Sequence, residues 1–86
     1  MVKVNINLYK LVEDKKLSDL TTIPSSDEVD LIKTEGDLCF FMHKAGKVTT
    51  LFWSHVSDVI FIKESCVFLN KEELSKRNKY INGEFV

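Results

Sequence analysis

The chain opens on a strict alternation. Val2, Val4, Ile6 and Leu8 are separated by Lys3, Asn5 and Asn7, with Tyr9 following. That period of two predicts a strand with one buried face. The pattern then loosens through Leu11, Val12, Leu17 and Leu20. Leu17 and Leu20 would share one side of a short helix over Asp14 to Leu20. A turn-rich connector follows, Thr21-Thr22-Ile23-Pro24-Ser25-Ser26-Asp27, in which Pro24 stops whatever precedes it. Ser25-Ser26-Asp27-Glu28 resembles a capping box, which would start a helix over Ser26 to Thr34. The competing reading, which we prefer, is a strand from Val29 to Thr34 turned by Glu35-Gly36.

From Asp37 onward the apolar positions crowd. Asp37 to His43 and Val48 to Trp53 read as two strands joined at Lys44-Ala45-Gly46-Lys47, with Gly46 supplying a positive φ. With Ala45-Gly46 as the loop, His43 faces Val48 and Phe41 faces Thr50. Leu38, Phe40, Met42, Leu51 and Trp53 then share one face. Cys39, Phe41, His43, Val48, Thr50 and Phe52 share the other. Ser54 to Asp58 is a turn. Val59 to Lys63 and Cys66 to Leu69 read as a further hairpin about Glu64-Ser65, pairing Ile62 with Val67 and Ile60 with Leu69. Asn70, with Glu73 three positions on, caps a short helix from Lys71 to about Lys79. Asn82-Gly83 either ends that helix or turns a small hairpin of Tyr80-Ile81 with Phe85-Val86.

The expected fold is therefore mainly β with some α: a small antiparallel meander of five or six strands, strongly curved or barrel-like, with one short C-terminal helix. Residues 1–86 form a single domain, since 86 residues leave little room for a second. The stretch from Lys47 to Leu69 resembles small β-barrel or PH-like domains in its general pattern, and such a likeness carries no function. An antiparallel sheet usually has one wet face. Here both faces are apolar, so both need cover, which a curl into a barrel, the N-terminal segment or a second chain would supply. The C-terminal helix, with Leu74 as its clear apolar residue, looks too poor to cover a face alone.

Composition narrows the function classes. Twelve basic residues against thirteen acidic ones leave a net charge of -1. Phosphate backbones need clustered cations, whereas Lys15-Lys16 and Lys76-Arg77 both follow acids. Nucleic acid is thus not the expected main partner. Eleven lysines against one arginine, with a lone alanine, suggest an AT-rich genome such as that of a phage or low-GC bacterium. Without an apolar run near 18 residues or a signal-peptide pattern, a cytoplasmic, non-membrane protein is expected.

The candidate chemistry is sparse. Cys39, His43, His55 and Cys66 supply zinc-type ligands without the usual local spacing. Cys39 or Cys66 with His55 and Asp58 supplies the residue types of a nucleophilic site, but a thiol inside an apolar strand is normally inert. Gly36, Gly46 and Gly83 are isolated, so no phosphate-binding loop is formed. Trp53 reads first as a core anchor at a strand end. No metal, no cofactor and no enzymatic activity are expected. The leading expectation is a protein-binding module, of the accessory or inhibitor kind found on phages and mobile elements. It would associate with another protein or as a homodimer, through an apolar sheet face or a strand edge. Phe41, His43, Val48, Thr50 and Phe52 form the expected contact face. The alternative is a small β-barrel that stacks single-stranded nucleic acid on Phe41, Phe52 and Phe61, with Lys47 and Lys63 nearby.

Overall fold

A computed structural model describes residues 1–83. Five strands form one antiparallel sheet: β1 (Val2–Leu11), β4 (Val29–Glu35), β5 (Leu38–Ala45), β6 (Val48–His55) and β7 (Val59–Leu69). Their order is β6-β5-β4-β1-β7, and the sheet does not close into a barrel. A separate two-stranded ribbon, β2 (Lys15–Ser18) and β3 (Thr21–Ile23), precedes β4. One helix, α1 (Lys71–Ile81), follows β7. The mainly β, antiparallel fold with a C-terminal helix is thus present, and β4 is a strand.

The path is a meander only from β4 to β6. A single 3₁₀ turn, Val56–Asp58, carries the chain back so that β7 pairs with β1 along its whole length, from Val2↔Leu69 to Leu11↔Val59. The expected hairpin about Glu64-Ser65 does not form. Neither residue favours the positive φ of a two-residue turn, and the strand runs through them for 11 residues. Both hairpins within the five-stranded sheet, Glu35↔Leu38 and Ala45↔Val48, start their loop with a glycine at positive φ, Gly36 and Gly46. The second hairpin pairs His43 with Thr50 and Phe41 with Phe52, two positions away from the expected register. A shift of two preserves the faces. Cys39, Phe41, His43 and Phe52 therefore still share one side, and Phe40, Met42, Leu51 and Trp53 the other.

The first side holds the core. Leu11, Val29, Cys39, Phe41 and Phe52 pack with Ile23, and Tyr9, Leu31 and Val59 lie against them. Ile23 reaches this cluster from the segment between β1 and β4, so that segment is the lid of the face. Its expected helix over Asp14 to Leu20 is absent: β2 and β3 form there instead, and Leu20 is exposed. The Ser25-to-Glu28 stretch is a turn closed by Asp27 N–H donating to the Pro24 carbonyl. Its acids and amides serve the lid rather than a helix.

The opposite side receives α1, which lies against β4 and β7. Asn70 accepts from the Glu73 N–H at 2.8 Å, and Glu73 accepts from the Asn70 N–H at 3.2 Å, closing the expected capping box. Asn82 ends the helix, so Tyr80-Ile81 belong to helix rather than hairpin; Phe85-Val86 lie outside the described residues. One contact that holds α1 is an ion pair. Arg77 is buried and donates through both terminal nitrogens to the Asp30 carboxylate, at 3.1 Å for Nη2–Oδ1. A planar guanidinium matches a carboxylate in two bonds, which a lysine cannot do. The chain's one arginine is thus spent on anchoring a helix with few apolar residues, not on a solvated face.

Candidate functional site

The lid decides which residues are available for contact. Phe41 is 0% exposed, Phe52 and His43 are buried, Thr50 is half-buried, and only Val48 of the expected contact face is well exposed. Phe41 and Phe52 belong to the core cluster, so the part of that face around them is covered by the chain itself. Three polar contacts fix the lid. Asp14 accepts from the Ser25 N–H at 2.7 Å, and this hydrogen bond holds its carboxyl below the usual range. Asp27 bonds the His43 ring at 2.9 Å. Lys15 donates to the Trp53 carbonyl and sits 4.9 Å from the indole centre.

The last contact bears on the sheet edges. A free edge exposes unpaired N–H and C=O groups that template pairing with another chain. At β6 the Lys15 ammonium occupies part of that edge, on the half-exposed Trp53, which is thus not the buried anchor expected. At β7, among the described residues, no hydrogen bond from another element reaches the outer edge. This edge is also apolar. Ile60 and Phe61 are each 53% exposed, Ile62 40% and Phe68 62%. The only interruption is Lys63-Glu64-Ser65, with Lys63 reaching back toward Glu28 at 3.8 Å.

Phe61 is fixed in place by a row of rings. Phe52 stacks on Phe41 at 5.5 Å, Phe41 meets Tyr9 edge-on at 5.6 Å, and Tyr9 meets Phe61 edge-on at 5.4 Å. The row starts in the core and ends at the edge, so half of Phe61 is packed while half meets solvent. The register between β1 and β7 shifts here: Leu8 pairs with Lys63 and Tyr9 with Phe61, which leaves Ile62 as the extra residue of a bulge. Bulges re-aim side chains at edges, and this one gathers Ile60, Phe61 and Ile62 without a charge between them. The alternation before Leu11 marks β1 but says nothing of its partner, so the edge was not visible in sequence. The usable signal was the absence, between Val59 and Leu69, of any residue suited to positive φ.

A concavity lies between α1 and the sheet, about 470 Å³, with Ile6, Leu8, Met42, Val67 and Leu69 among its walls. Each cation lining it has a carboxylate within 4 Å: Lys44 with Glu73, Lys76 with Glu72, Arg77 with Asp30. The cleft therefore presents no isolated charge to an ionic ligand.

The chemistry-bearing residues are apart. Cys39 is buried, and burial pushes its thiol up from the ordinary value. Cys66, on β7, is exposed and donates to the side chain of Asn5 opposite it on β1, at 2.9 Å. His43 is engaged by Asp27 and His55 lies edge-on to Trp53. Among the described residues no three His, Cys, Asp or Glu side chains gather as a metal site, and no helix is long and apolar enough to cross a membrane. Of the three rings considered for base stacking, Phe61 alone is exposed. No family model, curated protein or solved structure matches the chain.

Proposed function

We propose that this protein is a non-enzymatic binding module that takes an extended segment of another polypeptide along β7, by strand addition. The observation that supports the reading is the outer edge of β7: 11 residues long, unpaired among the described residues, and flanked by Ile60, Phe61, Ile62 and Phe68. In strand addition, main-chain hydrogen bonds supply affinity and alternate side chains supply specificity. Phe61 suits the anchor role, since an aromatic ring fixed before binding loses little freedom on contact. An accessory or inhibitory role, in which the module masks a strand or edge of its target, is the form this activity takes in our reading. The cytoplasm is the compartment proposed for it.

The test is binding of extended apolar peptides by fluorescence anisotropy, for the native chain and for Phe61→Lys. The reading predicts binding that barely changes with salt and falls at least tenfold in the variant. Binding that weakens steeply with salt would instead follow the behaviour of a nucleic-acid or polyanion site. Equal binding by both proteins would remove β7 from the account.

A further inference from the structure

We infer that the segment received along β7 is β7 of a second copy, giving a two-fold dimer with one continuous ten-stranded sheet. This rests on the strand-addition reading and names its partner. A two-fold interface must be self-complementary. For two antiparallel strands, that means a sequence whose character reads alike in both directions. β7 has this property. Val59 to Ile62 is apolar, Lys63-Glu64-Ser65 is polar, and Cys66 to Leu69 is apolar again.

The axis must pass through the polar centre for the apolar ends to meet, and charge selects the residue. Centring on Lys63 sets two ammonium groups opposite each other, and centring on Glu64 sets two carboxylates opposite; like charges in that relation are destabilising. Centring on Ser65 sets two hydroxyls opposite. It then places Ile62 against Phe68, Phe61 against Leu69, Lys63 against Val67 and Glu64 against Cys66. The four residues 61, 62, 68 and 69 thus meet their counterparts at both ends of the pairing, where Phe61, Ile62 and Phe68 are solvent-exposed in one copy. Two half-exposed rings, Ile62, Leu69 and a strip of backbone per copy amount to an interface on the order of 1,000 Å² in total, the size of a weak, transient contact. The dimer accordingly dissociates on dilution.

Three measurements on the full chain test this. Light scattering behind size exclusion should give a mass that rises toward twice the chain mass with concentration, and Phe61→Lys should stay monomeric with an unchanged circular dichroism spectrum. The double variant Ser65→Cys, Cys66→Ser should cross-link to a covalent dimer under mild oxidation. Thr49→Cys, Cys66→Ser, with its thiol on the β6 edge, should not. A synthetic peptide of residues 59–69 with Cys66→Ser, labelled for anisotropy, should compete with dimerisation. A chain that is monomeric at every concentration overturns the dimer, as does cross-linking through Thr49 in place of Ser65. If that monomer still binds the peptide, strand addition stands and only the second copy falls. If it binds neither this peptide nor other extended apolar peptides, both readings fall together.

Discussion

Arg77 shows what one side chain can decide. A buried ion pair broken on one side leaves a charge without a partner, which costs about 3–5 kcal/mol, whereas replacing both partners by apolar groups is often neutral. Arg77→Ala should therefore cost about 3 kcal/mol in urea unfolding, and Arg77→Met combined with Asp30→Leu should recover most of it. If the double variant were as weak as the single one, the pair would be stabilising through its hydrogen bonds to each other and to the Leu31 carbonyl. Asp14 gives a pH-dependent counterpart. Its folded-state pKa lies below the ordinary value of 3.8 because the carboxylate accepts from Ser25. Its contribution is thus present above the unfolded value and is lost as pH falls through the depressed one. Asp14→Asn should lower stability slightly at neutral pH, where the carboxylate's contribution is present, and flatten the acid limb of the stability curve below about pH 4. The thiols report accessibility: Cys66 should react with Ellman's reagent in the native state and Cys39 only on unfolding. A native Cys39 that reacts at the Cys66 rate would mean that the lid opens freely.

At the scale of elements, the account turns on residues 12–28, which seal one face. Phe41 lies under this lid among Leu11, Ile23, Val29, Cys39 and Phe52. Phe41→Ala should cost about 3–5 kcal/mol, and Phe41→Asp should unfold the chain; a folded, soluble Phe41→Asp protein would mean that the face is open. The strands β1, β4, β5 and β6 and the capped helix are legible in the sequence because each carries a local signal: alternation, a glycine that opens a two-residue loop, or Asn70 with Glu73. The assignment of side chains to faces is legible too, since it survives a register shift of two. Long-range pairing is what sequence pattern does not show. Residues 59–69 carry the same apolar–polar–apolar pattern whether they fold back on themselves or run on to pair with β1. The absence of a residue suited to positive φ at Glu64-Ser65 was the available hint. The lid was hidden for a similar reason. Leu17 and Leu20 suggested a helix face, while the residue that enters the core is Ile23, beside a proline that ends the strand. The site residues followed the same fate: Phe41, His43 and Phe52 were on an apolar face, but the chain covers that face itself and leaves β7 bare.

For the molecule as a whole, two apolar faces in a chain of 86 residues are covered by different means, a lid on one side and, over β4 and β7, an ion-paired helix on the other. Among the described residues, Ile60, Phe61, Ile62 and Phe68 form an exposed apolar strip along one sheet edge. An edge of that length and character is normally paired, covered or charged in a stable monomer. The central claim is therefore that β7 is a pairing surface. It is tested most directly by hydrogen exchange of β7 amides in the intact chain, read residue by residue over a wide concentration range. The account predicts that protection of alternate β7 amides, those that point away from β1, rises with concentration while the β6 edge stays unchanged. Outward β7 amides that exchange at the same fast rate at every concentration, or protection that builds on β6 instead, would contradict it.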